Sequence, residues 1–371
     1  MRKIRSLLLV MGILIIGSIS HGEEGMSSLA RIANVGGYFD TEWVIDNGSN
    51  TFKAHRFILH ASSQLHDRLF FNSEVEFEYG ALVNAGEDNG EIKIEQAWLD
   101  YELGGDFYFR GGIMVMPFGH VNVYHDSDLR DTTNRPIYAK YIVPSTWVDT
   151  GFGFHGLWEP NDVWVLSYEA YVLNGLVEKK SDGSTAISSS KGIRDTRPNF
   201  KADNNENMAY VGHLDISPCL GLNIGTSFYS GVYDDLNTQN LSMLGFDLFW
   251  KKGPGEILAE WASISLDQTS TEPAAMNGYY IEGRYHFFPQ FLKNTFLADG
   301  LDNPVFTIFA RAGAVDMDTS TTGTNDRKQY TFGFNYRPIE TVVFKAEYEI
   351  NDTETISDND NVFIASIAVG F

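Results

Sequence analysis

The chain has 371 residues, 27 Lys and Arg against 49 Asp and Glu, a formal charge of −22, one cysteine and 14% aromatic residues. The acidic excess argues against a nucleic-acid binder, whose affinity would rest on cations that neutralise phosphates, and a lone cysteine excludes an intramolecular disulfide framework or a multi-cysteine zinc site. A mean hydropathy near zero speaks against a helical membrane protein but not against a membrane barrel, whose strands alternate apolar and polar residues.

Arg2, Lys3 and Arg5 precede an uncharged run from Leu7 to Ile19, and small residues follow at Ser18, Ser20 and Gly22. This order is that of a secretory signal peptide, and the run is shorter than the ~20 residues a spanning helix needs. Residues 1–22 therefore read as a signal peptide and 23–371 as the exported domain, with an uncleaved anchor as the alternative. The longest later uncharged stretch, Ile216 to Tyr233, is broken by Pro218, Gly221 and Gly225.

From Arg31 onward the dominant pattern has period two, which sends alternate side chains to opposite faces of a strand. Ser73, Val75, Phe77 and Tyr79 take one face while Asn72, Glu74, Glu76 and Glu78 take the other. Phe107, Phe109, Gly111, Ile113 and Val115 alternate with Tyr108, Arg110, Gly112, Met114 and Met116 in the same way. Sixteen such segments can be drawn, at 31–45, 52–63, 67–80, 91–103, 106–116, 151–159, 162–175, 208–217, 220–233, 240–252, 255–266, 277–289, 304–315, 328–338, 341–351 and 361–371. An even count suits a single-chain outer-membrane barrel, which also has short periplasmic turns and longer outer loops. The even connections carry tight turns such as Gly104-Gly105, Pro160-Asn161 and Gly253-Pro254-Gly255. Pro289 to Asn303 is the exception, long enough for a short helix. The odd connections are longer, and two are much longer, Pro117 to Thr150 and Leu176 to Asn207. The fold expected is all-β, a 16-stranded antiparallel transmembrane β-barrel whose third outer loop folds inward. A secreted soluble β protein would show the same alternation, but it would need a second sheet over every face and has no use for so aromatic an exterior.

A barrel of this size encloses an aqueous lumen. By parity its acids are Asp40, Glu42, Glu74, Glu76, Glu78, Asp100, Glu102, Glu169, Asp215, Asp247, Glu256, Glu260, Glu282, Glu347 and Glu349. Its bases are Arg56, Arg110, Lys251, Arg284, Arg311, Arg337 and Lys345. The excess of acid predicts a weak preference for cations. Glu74, Glu76, Glu78, Asp100 and Glu102 would form an acidic wall, and Arg284, Arg311, Arg337 and Lys345 a basic one, unless each simply pairs with its neighbours.

The loop from Pro117 to Thr150 is too long and too rich in Pro, Tyr and Trp for a loose surface excursion. Folded inward, it would constrict the pore with Asn122, His125, Asp126, Asp128, Arg130, Asp131, Arg135 and Lys140. His120, His125, Asp126 and Asp128 match no metal-ligand spacing, so neither metal nor cofactor is expected. The Ser-, Gly- and Lys-rich loop from Leu176 to Asn207 reads as a mobile surface loop. The acidic tip Asp352 to Asp360 reads as solvated, or as a site for cations that bridge lipopolysaccharide.

The stretch GGIMVMPFGHVNVYHDSDLRDTTNRP, Gly111 to Pro136, with VPSTWVDTGFGFHG, Val143 to Gly156, resembles the phosphate-selective porin O and P family. The terminal Phe371, with Phe363, Ile367 and Val369, resembles the signal by which the barrel assembly machinery recognises outer-membrane barrels. The resemblance implies a sixteen-stranded barrel, a homotrimer, and anion selection by an arginine ladder and a lysine cluster. Arg56, Arg110, Arg284, Arg311 and Arg337 could supply a ladder, but no lysine cluster is present.

The function expected is therefore an outer-membrane porin of a Gram-negative bacterium, a passive channel for ions and small hydrophilic solutes in contact with lipid and lipopolysaccharide. An anion or phosphate channel is the alternative within that class. A surface adhesin is the alternative outside it. A barrel enzyme would need an assembled nucleophile and base, and no G-x-S-x-G motif is present.

Overall fold

The computed structural model describes residues 33–81, 90–161, 163–180, 182–198, 200, 203–267, 273–321, 326–353 and 361–371. The signal peptide and most of the acidic tip at 352–360 lie outside them.

Alternation produces strands throughout. They are β1 (Asn34–Asp46), β2 (Ser49–His66), β3 (Leu69–Glu78), β4 (Ile92–Glu102) and β5 (Phe107–Val115). After two short helices, α1 (Gly119–Val123) and α2 (Tyr138–Tyr141), come β6 (Val148–Trp158), β7 (Val165–Leu173), β8 (Ala209–Cys219) and β9 (Leu222–Val232). The wall continues through β10 (Asn240–Lys252), β11 (Gly255–Leu266), β12 (Ala275–Phe287) and β13 (Val305–Asp316). It ends with β14 (Arg327–Ile339), β15 (Val342–Thr353) and β16 (Val362–Gly370). Each strand pairs with its sequence neighbours and β1 closes on β16, from Tyr38 opposite Gly370 to Ile45 opposite Phe363. Closure leaves no unpaired edge among the described strands, which is the condition for a sheet to cross a bilayer.

The turns follow the expected alternation of short and long, with two departures. Residues 288–304 form the one long even connection and include a single 3₁₀ turn, Gln290–Leu292. The first odd connection is only Asn47-Gly48, where Gly48 takes φ 96°.

The exterior is apolar and aromatic. Phe152, Phe228, Phe246, Tyr279, Ile281, Phe332 and Phe334 are all exposed, and Phe246 stacks on Trp261 at 5.9 Å between ring centres. Inside, sixteen strands do not enclose only water. Met116, Phe118, Ile142 and Trp147 of the β5–β6 connection pack with Tyr171, Tyr229, Met243, Ile264 and Met276 of the wall into one buried cluster. The hydrophobic core of this protein therefore lies within its own barrel.

The β7–β8 connection corrects the expectation of a mobile loop. Ala186, Ile187 and Ile193 are buried, Ile193 donates its N–H to the Tyr141 carbonyl, and Arg197 reaches the Thr146 carbonyl. Its composition is polar, yet a few aliphatic residues plug it onto α2.

Candidate functional site

The β5–β6 connection is shaped first by its own residues. Asn122 Nδ2 donates to the carbonyls of Met116 at 2.8 Å and Trp147 at 3.2 Å, and its Oδ1 accepts the Trp147 N–H at 2.8 Å. One buried amide thus closes both ends of the loop. Gly119 sits at φ 69°, and a Cβ there would strike the Glu260 carboxylate.

Inward-facing wall residues then hold the loop backbone. Glu260 accepts the Val121 N–H at 2.7 Å, and Ser227 Oγ accepts that of Gly119 at 2.9 Å. Glu347 accepts the N–H groups of Thr133 and Asn134 at 2.7 and 2.8 Å, while Glu349 takes the Asn134 side chain at 3.1 Å. Lys345 Nζ donates to the carbonyls of Ser127 and Thr132. Arg337 donates to those of Asp128 and Arg130, and Arg311 to that of Asn134. On β1, Asp40 accepts Ser127 Oγ at 2.6 Å.

The structure does bring Arg284, Arg311, Arg337 and Lys345 onto adjacent strands, but their charge is engaged. Arg284 lies 2.6 Å from Glu282, 2.7 Å from Glu256 and 3.5 Å from Asp131. The other three grip the loop. The five acids of the opposite side do not form one ring. Glu76 and Glu78 bind Arg56 at 2.7 and 3.0 Å. Asp100 binds Arg110 at 2.7 Å and His155 at 3.1 Å. Glu102 lies near the opposite end of the barrel, beside the turn at Arg68. Glu74 accepts from Gln96 at 2.8 Å.

Within the loop, Asp131 meets Arg284 and Arg337, each at 3.5 Å. Burial alone would raise its pKa, but the two guanidinium groups outweigh that and hold the carboxyl below its usual range. Asp128 is pushed up to about 6 by burial and by the nearby Asp126. Arg130 is buried and Arg135 half-buried, and both lack carboxylate partners among the described residues; Arg135 is lowered to about 9 by desolvation, Arg56 and Arg130. Lys140 lies over the Tyr141 ring at 5.2 Å. His120 stacks on Phe249 and Tyr124, whereas Asp128 lies beside Gly370, so these two do not join His125 and Asp126.

Two inward residues escape a strict period-two reading because each lies at a β-bulge. His55 is the extra residue where the β1–β2 register shifts, and it reaches Asp40 at 2.9 Å and Glu42 at 3.1 Å. Glu95 is the extra residue of β4 opposite Glu74 and Val75, and it is 1% exposed. The available signal was a pair of consecutive polar residues, His55-Arg56 and Glu95-Gln96, inside otherwise alternating strands.

Above the loop, a cavity of about 600 Å³ opens between the loop ends of β3, β14 and β15 and the β7–β8 connection. Arg130, Arg135, Lys140, Arg194, Arg197 and Arg327 line it. None of these six has a carboxylate within 4 Å among the described residues, whereas of the five acids in the same lining Glu76, Glu78, Glu95 and Glu349 each face a Lys or Arg and Glu91 alone does not.

The sequence profile of the phosphate-selective porin O and P family matches residues 33–366. The chain belongs to that family. It is 28% identical over 351 residues to an uncharacterised protein of Aquifex aeolicus strain VF5, covering 88% of this chain and 77% of that one. Solved porins share the fold at low identity. A loop L8 deletion mutant of OmpT from Vibrio cholerae superposes with a TM-score of 0.59 at 13% identity, over 92% of this chain and 100% of that chain. The anion-selective porin of Comamonas acidovorans gives 0.59 at 10% identity, over 92% and 99%. OmpF of Salmonella typhi gives 0.60 at 10% identity, over 93% and 99%. This porin is accordingly an outer-membrane channel.

Proposed function

We propose that this porin conducts small anions in preference to cations, inorganic phosphate among them. The observation that carries the reading is the asymmetry of pairing at the cavity above the loop. Six Lys and Arg side chains there lack carboxylate partners among the described residues. Seven of the fifteen acids that parity places in the lumen are tied to loop backbone N–H groups or to Arg56, Arg110 and Arg284. A fixed charge enriches its counter-ion in a narrow aqueous path only to the extent that it is not already neutralised. Counting acids along the strands favours cations; counting unpaired charge at this cavity favours anions.

The family description points the same way, and one solved neighbour is described as anion-selective. A signal peptide over residues 1–22, a homotrimer like that described for OmpT, and recognition of Phe371 in assembly complete the proposal. The test is the reversal potential of the purified porin in a planar bilayer under a KCl gradient. A potential on the chloride side supports the reading, and one on the potassium side returns it to cation preference.

A further inference from the structure

On the other side of the loop from its main anchors, Glu74 of β3, Glu95 of β4 and His125 of the loop place one oxygen or nitrogen each within 4.8 Å of one another. All three are buried, with exposures of 5%, 1% and 2%. We propose that they form a binding site for a divalent metal cation of the Zn²⁺ type, which clasps the loop to the β3–β4 wall, with Asp126 beside it.

The His125 geometry is the first support. Its Nδ1 lies 2.7 Å from the Asn122 carbonyl, which can only accept, so Nδ1 carries a proton and Nε2 is the nitrogen left facing the carboxylates, free to ligate a metal. Nε2 is 3.4 Å from Glu95 Oε2 and 3.6 Å from Asp126 Oδ1. An imidazolium paired to a carboxylate closes to ~2.7–2.9 Å. Ligands at the corners of a tetrahedron around zinc, with bonds of ~2.0–2.1 Å, stand roughly 3.3–3.4 Å apart. The edge from Nε2 to Glu95 fits a pair of metal ligands better than an ion pair.

The carboxylates supply the second support. Glu74 Oε1, Glu95 Oε1 and Asp126 Oδ1 are buried atoms that accept no hydrogen bond among the described residues. Lys93, 3.6 Å from Glu95 Oε1, is the one Lys or Arg within 4 Å of these three carboxylates among the described residues. Two buried carboxylates, Glu74 and Glu95, and the partly exposed Asp126, facing one lysine and one imidazole, leave negative charge that a dication would neutralise. An outer shell is already in place. Glu74 Oε2 accepts from Gln96, which is held in turn by Trp98 Nε1 at 3.0 Å, and His125 Nδ1 is fixed by Asn122.

An imidazole with two or three carboxylates and no thiolate suits zinc, whereas calcium takes six to eight oxygens. A bound dication would fix the side of the loop that hydrogen bonds leave least supported, and would add positive charge at the floor of the arginine-lined cavity.

The test uses the full-length porin, stripped with chelator and titrated with ZnCl₂ by calorimetry, with metal content measured after desalting. A single Zn²⁺ per chain is expected, with open-channel current noise falling when it binds. Glu95→Gln and His125→Gln should abolish binding. Gln96→Leu, which keeps every ligand, should weaken it about 10- to 100-fold. Asp215→Asn, at a separate His–carboxylate cluster on β8, should leave it unchanged. Heat-modifiable migration on gels identifies variants with an intact barrel; if a ligand variant does not fold, Gln96→Leu carries the comparison. Absence of Zn²⁺ binding by the folded wild type, unaltered binding in Gln96→Leu, or loss of binding in Asp215→Asn would overturn the proposal. Reversal potentials measured in metal-free buffer report the anion preference separately, so the two readings fail independently.

Discussion

Asn122 and Trp147 bind each other twice, the amide oxygen of Asn122 accepting the Trp147 N–H at 2.8 Å and its nitrogen donating to the Trp147 carbonyl at 3.2 Å. The contact joins residues twenty-five apart in sequence and both are fully buried. Asn122→Leu would leave the buried Trp147 N–H unpaired, at a cost of about 1–3 kcal/mol, while the Met116 and Trp147 carbonyls keep the N–H groups of Phe118 and Met116. The expected outcome is a lower temperature for the heat-induced gel shift together with a larger single-channel conductance, because the loop opens before the barrel does. An unchanged conductance would show that the loop does not narrow the path.

Glu347 separates loop anchoring from barrel stability more finely. Its two oxygens take the N–H groups of Thr133 and Asn134. Glu347→Gln keeps one acceptor and Glu347→Leu keeps none. Conductance should therefore rise in the order wild type, Gln, Leu, with a stability loss of about 1–3 kcal/mol for each N–H left unpaired. Single-channel recordings on the three proteins check the order.

Much of this architecture was legible in the chain because period-two patterning and turn chemistry are local. All sixteen strands overlap the segments drawn from alternation. What was not legible is set by non-local contact. Parity places Arg311, Arg337 and Lys345 inward, but it cannot say that loop carbonyls consume their donors. Composition marks residues 176–207 as mobile, but Ile187 and Ile193 find a buried seat that exists only once the β5–β6 loop has folded inward. Bulges at His55 and Glu95 break the parity on which the lumen assignment rests.

Two loop groups make opposite contributions to stability against pH. Asp128 is raised from 3.8 to about 6 by burial and Asp126, against the nearby Lys345 and Arg337. The folded state therefore holds its proton more tightly, and this contribution is lost as pH rises from about 4 to 6. His120 is lowered from 6.5 to about 4 by burial and Arg284, with Glu256 opposing. Its contribution is present above 6.5 and is lost as pH falls towards 4. In the wild type the two slopes largely offset each other. Asp128→Asn should expose a stability that rises with pH across this window, and His120→Gln one that falls. Urea midpoints of the folded barrel between pH 4 and 7 check both signs.

Selectivity is expected to follow unpaired charge rather than total charge. Arg135 and Arg197 line the cavity without carboxylate partners among the described residues, donating to Ser145 Oγ and to the Thr146 carbonyl. Arg135, at about 9, stays protonated at neutral pH. A unit charge ~8 Å from the ion path in water shifts anion and cation by about 0.5 kcal/mol in opposite directions, and screening over a Debye length of ~10 Å at 0.1 M salt roughly halves this, which leaves about twofold in the anion-to-cation permeability ratio. Arg135→Gln and Arg197→Gln should each lower that ratio about twofold in 0.1 M KCl. The effect should shrink in 1 M KCl, where the Debye length falls to ~3 Å. Lys345→Met removes a charge that is 4% exposed and spent on loop carbonyls. Loosening the loop, it should raise conductance while leaving the ratio nearly unchanged. If Lys345→Met moved the reversal potential as far as Arg135→Gln, the distinction between engaged and free charge in this lumen would be lost, and a simple count of lumen residues would describe selectivity as well.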